Sequence, residues 1–397
     1  MSMNKKILEA YNKTKAYYCL DCGKCTANCP VSVYYEGFSP RLLVKNAAEG
    51  FGDDLIAASQ LWDCLTCNTC ADRCRSDVQF AEFIRAVRGE AVINENKGVC
   101  SHSGILQGLM RLQTSSELTP DKLYWLGEDL KVVKTGKVYL FTGCMPIYQK
   151  MFEDIQANSA DILRASVLLL NQCGVTPVIS NQERCCGHDL LWTGDVKSFE
   201  KLAELNAKML NDLGVETIIT ICPEGYLTLK KDYPEFINNG SAEDYEWNFK
   251  VVHITEFLAE QLKDGKLSFP EHNPINTTTV TYHDSCRLGR FMGVYDAPRE
   301  LLSAVPGLEL REMEHNRNRA LCCGVSSWTN CTDISRSIRA ERLTEAKSTE
   351  ADMLITSCPK CQIHFKCYTN NEIVQPQIKI DIEDITVFLA KAAGLME

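Results

Sequence analysis

Long apolar runs are missing from this chain of 397 residues. Stretches such as Val167 to Leu170 are far too short to span a bilayer. Met1 to Ala10 carries Lys5 and Lys6 but no apolar segment of signal-peptide length. Any membrane link is therefore expected to come through a partner protein. An excess of positive charge is missing too. Fifty-two acidic residues outnumber 42 basic ones and leave a net charge of −10. That argues against nucleic acid or an anionic membrane surface as the main partner. There is no Gly-rich dinucleotide fingerprint in context and no Walker motif, so flavin, nicotinamide and ATP are not expected to bind here.

What the chain has in abundance is cysteine, 21 residues of it. The chain is too long, and its apolar content too ordinary, for a disulfide scaffold. Cysteine at this density in metal-binding spacing implies a reducing, cytoplasmic setting and anaerobic metabolism. Cys19, Cys22, Cys25 and Cys29 are spaced C-x2-C-x2-C-x3-C, with Pro30 following. Cys64, Cys67, Cys70 and Cys74 repeat the spacing, with Arg75 in the place of the proline. This arrangement holds two 4Fe–4S cubanes in bacterial-type ferredoxins, where the fourth cysteine of each run reaches the other cluster. One set is therefore Cys19, Cys22, Cys25 and Cys74, and the other is Cys64, Cys67, Cys70 and Cys29. Zinc also accepts CxxC pairs, but triplets with a distant fourth ligand suit it poorly.

Helical periodicity follows Ser39-Pro40-Arg41, and again from Phe80 to Ile93, with Phe80, Phe83, Ile84, Val87 and Ala91 on one side. The cluster module therefore reads as mainly helical, over residues 1–98. Residues 99–137 read as a linker, marked by Gly104, the polar stretch Thr114 to Glu117, Pro120 and Gly136. The remainder is an internal duplication, residues 138–270 and 271–397. Val138 to Cys144 aligns with Val280 to Cys286, and Cys185-Cys186-Gly187 with Cys322-Cys323-Gly324. Ile218 to Gly225 aligns with Leu354 to Cys361. Short β-branched runs alternate with helical stretches: Val138–Phe141, a helix around Ile155–Cys173, Val178–Ser180, a helix at Val196–Leu213, and Thr217–Ile221. The alternation predicts βαβ units with a parallel sheet. The cysteines fall just after the strands, the edge at which open α/β sheets bind ligands.

The second repeat offers Cys286, Cys322, Cys323, Cys358 and Cys361. Five thiolates exceed the needs of zinc or of one cubane. An extra thiolate can bridge irons and open the cube, and Gly324 allows close backbone approach. The first repeat has Cys144, Cys185, Cys186 and Cys222, but Gly225 stands where the fifth cysteine would be. Its four thiolates suit an iron–sulfur cluster or zinc. His283 and His188 lie beside these motifs; either could donate a proton to a departing thiolate or orient a cluster loop. Cys100, Cys173, Cys331 and Cys367 fit neither motif and read as small buried hydrophobes. Lys360 and Arg287 read as solvated surface charges.

The Cys…Cys-Cys-Gly…Cys-Pro-x-Cys pattern resembles the cysteine-rich CCG domain of heterodisulfide reductase, where it is present twice in an iron–sulfur polypeptide. Leu61 to Cys67, Ser39-Pro40-Arg41 and Tyr282 to Arg290 look like that branch of the family. The resemblance covers nearly the whole chain, because two cubanes followed by two CCG domains is the layout of the fused form of that polypeptide. It implies an α/β fold in which an N-terminal, mainly helical two-cluster ferredoxin-like domain precedes two duplicated Rossmann-like α/β CCG domains. It also implies two 4Fe–4S cubanes feeding a noncubane 4Fe–4S cluster, held by the five cysteines of the second repeat, at which a disulfide is reduced or formed. His283 would assist there as a catalytic residue. The implied partners are a redox protein carrying flavin or haem b, which could sit in the membrane, and a small thiol or disulfide substrate. The same layout occurs in the iron–sulfur components of glycolate, lactate and glycerol-3-phosphate dehydrogenases, which deliver electrons toward quinone.

Overall fold

The computed structural model describes residues 5–238, 246–271, 278–329, 331–370 and 378–396; Met1 to Asn4 of the N-terminal stretch lie outside them. The protein is mixed α/β, with a helical N-terminal region and parallel sheets. Its contacts gather the chain into two compact units. A helical unit comprises residues 1–112, 187–199 and 321–339, and a sheet unit comprises 113–186, 200–320 and 340–397. The division into 1–98, 99–137, 138–270 and 271–397 follows the chain instead, and does not separate out the two inserted segments.

In the helical unit, Ser39 caps the helix Pro40–Ala48 by accepting the Leu42 amide at 3.4 Å. Proline at the first helical position fits because that N–H has no partner in any helix. The helix Phe80–Ile93 buries Phe80, Phe83, Ile84, Val87 and Ala91. It packs against Lys5–Lys13, which contributes Ile7 and Ala10. The stretch read as a linker contains a helix, Ile105–Leu112, with Leu106 and Met110 buried one turn apart. Gly104, Gly108 and the polar run after Thr114 hid that short stripe. Gln107 on this helix donates to the Ser327 carbonyl at 2.9 Å, so a segment far along the chain fixes it.

Among the described residues, the sheet unit holds two parallel sheets. In the first, β1 (Val138–Phe141), β2 (Thr217–Thr220) and β3 (Lys250–His253) lie in that order. In the second, β4 (Thr279–His283), β5 (Glu309–Leu310), β6 (Met353–Thr356) and β7 (Asp381–Asp384) run in the order β5-β4-β6-β7. Val178–Ser180 forms no strand; Val178 makes only isolated bridges to Val133 and Tyr139. The helix expected over Ile155–Cys173 spans Ser159–Gln172, after a separate helix Met145–Met151. Both sheets share one core. Leu140 and Ile219 of the first join Val280, Tyr282 and Ile355 of the second, with Leu163, Val167 and Phe388 from helices between them. Each such side chain contributes roughly 1.5–3 kcal/mol on burial.

Asp384 ends β7 and caps the helix Ile385–Ala392, accepting from the Thr386 amide at 2.9 Å and its hydroxyl at 2.7 Å. It is 1% exposed, and burial pushes its carboxyl up to about 7. The unfolded chain releases that proton near pH 4. The carboxyl's contribution is therefore complete below about pH 4 and is lost as pH rises to about 7. Asp384→Asn is expected to gain about 3 kcal/mol relative to the parent between pH 5 and pH 8. Anaerobic denaturation midpoints of both proteins at the two pH values check this, and an unchanged gap would refute it.

Candidate metal centres

The two N-terminal cysteine runs build the same loop twice. Asp21 and Thr66, each just before the middle cysteine, have φ of 53° and 46°. Gly23 and Asn68, just after it, have φ of 77° and 65° and open the short helices Lys24–Ala27 and Thr69–Asp72. Left-handed backbone at these positions is costly for Asp21 and Thr66 and persists where the surroundings enforce it. It curls each loop tightly, and in the second run the Thr66 amide donates to Cys64 Sγ at 3.3 Å. Cys29 precedes a helix whose first residue is Pro30.

The fourth cysteine of each run lines the pocket of the other run. Cys29 lines one pocket with Cys64, Cys67 and Cys70. Cys74 lines another, of about 240 Å³, with Cys19, Cys22 and Cys25, and Cys70 reaches this pocket too. Phe80 and Pro40 form part of both walls. The donor set in each pocket is sulfur, which selects soft metals and iron–sulfur clusters over calcium or magnesium. As free thiols these groups would stay protonated. Burial, then the neighbouring Cys67, pushes Cys29 up to about 11. Burial pushes Cys64 to about 12 despite the Arg88 cation nearby. Cys70 is raised well above the ordinary thiol value by burial and by Cys64, Cys67 and Cys29. Only a cationic group in the pocket turns such thiols into ligands at neutral pH.

Arg88 holds the second loop. It is fully buried, and its guanidinium donates to the carbonyls of Leu61 (3.2 and 3.1 Å), Cys64 (2.7 Å) and Trp192 (3.2 Å). The 187–199 segment is pressed against this helix, since a Cβ on Gly194 would lie 2.5 Å from the Arg88 carbonyl. The 321–339 segment is attached more closely still to the cysteine loop. Thr66 Oγ1 and Ser326 Oγ are 2.8 Å apart and buried. Trp328 O accepts from the Ser101 amide at 2.7 Å and its hydroxyl at 2.8 Å. Cys322 and Cys323 are both buried in this segment. Gly324 has φ of 86°, and a Cβ there would lie 2.4 Å from the Ser335 carbonyl. The close approach that requires this glycine is to the helix Asp333–Ser348. His188 is buried and stacks near Trp192 at 5.6 Å between ring centres.

In the sheet unit, Cys144 follows β1 and its Sγ lies 3.0 Å from that of Cys185. Glu183 braces this pair. Its carboxylate accepts from the Thr142 amide (2.9 Å), the Thr142 hydroxyl (2.7 Å), the Gly143 amide (2.8 Å) and Lys122 Nζ (2.6 Å). Asn206 accepts from the Arg184 amide at 2.8 Å and donates to the Cys185 carbonyl at 3.1 Å. Cys185 and Cys186 lie close enough to raise the Tyr233 phenol, which burial already lifts most.

Cys222 and Cys358 each precede a helix that begins with proline. Burial raises Cys222 most, followed by its neighbours Cys358 and Glu224. The residues after the two prolines pair with each other, Lys360 Nζ to Glu224 Oε2 at 2.6 Å. Lys360 is therefore not a solvated charge, and neither is Arg287; they are 3% and 2% exposed. Cys361 is buried one turn further along its helix. A Cβ on Gly225, its counterpart, would meet nothing nearer than Cys222 Cβ at 3.9 Å.

His283 ends β4 and accepts a hydrogen bond at Nδ1 from Arg342 Nε, 3.1 Å away. That leaves its ring proton on Nε2. Arg342 continues to Glu345 at 2.5 Å, and Glu345 meets His315 Nδ1 at 3.0 Å. Asp284, two residues before Cys286, receives Arg299 bidentately at 2.8 Å on each oxygen. Of the remaining cysteines, Cys173 is buried, Cys100 and Cys367 are partly so, and Cys331 is exposed. Glu183, Lys122, Arg88, Arg342 and Asp284 were not found from sequence. Their only signal there is a charge next to a cysteine motif or on an otherwise apolar face.

The cysteine-rich domain family, CCG, matches residues 138–230 and 280–366, and a 4Fe-4S dicluster domain matches residues 18–78. One component of the dihydromethanophenazine:CoB–CoM heterodisulfide reductase of Methanosarcina mazei is 29% identical over 99% of this chain and 98% of its own. One component of the fumarate reductase (CoM/CoB) of Methanothermobacter marburgensis is 30% identical over 90% of this chain and 69% of its own. A hypothetical protein from Helicobacter pylori has a similar fold, with a TM-score of 0.52 and 14% identity over 99% of this chain and 73% of that one.

Proposed function

Because the chain belongs to the CCG iron–sulfur family, whose members include electron-transfer components of heterodisulfide reductase and related oxidoreductase complexes, we propose that it passes electrons between a flavin- or haem-b-bearing partner and a small disulfide. Cys19, Cys22, Cys25 and Cys74 would hold one 4Fe–4S cubane, and Cys64, Cys67, Cys70 and Cys29 the other. Cys286, Cys322, Cys323, Cys358 and Cys361 would hold a noncubane 4Fe–4S cluster, an assignment that rests on their sequence pattern. Cys144, Cys185, Cys186 and Cys222 would hold a further iron–sulfur cluster or zinc. When bound, such clusters supply one-electron transfer and, at the five-cysteine set, iron with an affinity for sulfur.

The observation that carries this reading is the buried Thr66–Ser326 hydrogen bond. It joins a cubane loop directly to the loop bearing Cys322 and Cys323, and so gives electrons a short bonded route. Arg88 keeps the cubane side of that route rigid by filling four carbonyl contacts. Reducing a disulfide to two thiols takes two electrons and two protons. His283 would contribute as a neutral hydrogen-bond donor through Nε2, because the Arg342 cation on Nδ1 opposes a charged imidazolium.

The deciding comparison is Cys323→Ser against Cys186→Ser. Cys323→Ser is expected to abolish viologen-driven disulfide reduction and the thiol-dependent paramagnetic signal seen after oxidation, with both cubanes still reducible. Cys186→Ser should retain that signal. The opposite pattern places the reaction in the first repeat. Gly225 favours a second reading for that repeat, in which four thiolates only relay electrons, as in the iron–sulfur component of a flavin dehydrogenase feeding quinone. If the parent protein shows neither disulfide reduction nor the thiol-dependent signal, yet holds a flavoprotein tightly, the relay reading stands for the whole chain. The space around Gly225 makes Gly225→Cys a companion test. It is expected to fold and to gain a thiol-dependent signal from the first repeat; unaltered spectra would refute this.

A further inference from the structure

We propose that the sheet unit contains a binding pocket for a small organic anion, held at its carboxylate or phosphate group by Arg184. The pocket is a cavity of about 640 Å³ between the 116–121 segment, the turn at 181–184 and the 205–212 face of a helix. That volume lies in the range of small-molecule sites. Arg184 is one of its lining residues and is 5% exposed. Its Nη2 donates to the Leu118 carbonyl at 2.7 Å. Its Nε and Nη1 are buried and make no hydrogen bond among the described residues.

A buried guanidinium without a carboxylate partner is an unfavourable arrangement, because its desolvation is not repaid. An oxyanion presents two oxygens in the geometry that a guanidinium fork accepts. The acidic residues at the cavity do not fill this role. Asp212 is paired with Lys208 at 2.7 Å, and Asp121 is exposed at the rim. Asn181 accepts the Lys122 amide through Oδ1 at 2.9 Å, which leaves its NH2 group as a further donor. Thr119 and Leu205 add a hydroxyl and an apolar wall, so the ligand would carry a short carbon skeleton as well as the anionic group. The site is separate from the cysteine ligands, although Cys185 is the next residue in the chain.

Calorimetric titration of the anaerobically purified protein with inorganic phosphate and with succinate tests the proposal without reference to redox activity. Saturable binding of at least one probe is expected, with Kd below about 1 mM. The preferred probe identifies the anionic group. Arg184→Met, which keeps the aliphatic stem, is expected to weaken binding at least tenfold. Leu205→Trp fills the cavity without changing charge and should weaken it as strongly, so a folding defect in the arginine variant does not decide the matter. Failure of both probes to bind, or unchanged affinity in the tryptophan variant, overturns the proposal.

Discussion

Cys29→Ser is expected to remove the cluster nested by Cys64, Cys67 and Cys70, and to leave the one at Cys19, Cys22 and Cys25 in place. Cys29 lines the pocket of the second run, not of its own, and Cys74 completes the other. Iron content should fall by about four atoms per chain. Spectra that resolve the two cubanes at different potentials would identify which one is gone. Loss of the other cluster would show that the ligands do not cross.

Arg88→Met is expected to destabilise the protein by more than about 4 kcal/mol. The guanidinium is fully buried and satisfies carbonyls of Leu61, Trp62, Cys64 and Trp192. Methionine has a similar stem but no donor. Each buried acceptor left without a partner costs about 1–3 kcal/mol. Arg88→Lys should recover part of the loss, because one ammonium cannot span acceptors arranged for a planar fork. Anaerobic chemical denaturation of the three proteins measures this. A loss under about 1 kcal/mol for the methionine variant would mean the carbonyls find other donors.

Local chemistry made much of this molecule legible. The helix Phe80–Ile93 could be read to its last residue, because five apolar positions fall on one face. Strands β1 and β2 were visible as short β-branched runs ending just before a cysteine. The cysteine spacing named two sets of four; Cys29 lines the pocket of the second run and Cys74 that of the first, while Cys70 lines both. Features set by distant contacts were not legible. The ends of Lys360 and Glu224 meet across 136 residues of chain, so a lysine beside a cysteine looked solvated when it is buried. Glu183 has no counterpart in the second repeat, so the duplication gave no hint of its bridge to Lys122. Cys331 looked like any small hydrophobe, but its neighbours in space leave it exposed.

The attachment of residues 187–199 and 321–339 to the helical unit also governs how the protein is made. A ribosome delivers the eight N-terminal cysteines first, yet the carbonyl of Trp192 that meets Arg88 and the hydroxyl of Ser326 that meets Thr66 emerge much later. Contacts of such long sequence separation form slowly. Until residue 339 is synthesised, the cysteine loops lack part of their packing, and buried surface stays open to oxygen and to misassociation. The packing around the cysteine loops is therefore completed only late in synthesis, and a fragment ending near Leu112 would lack the contacts that residues 187–199 and 321–339 supply.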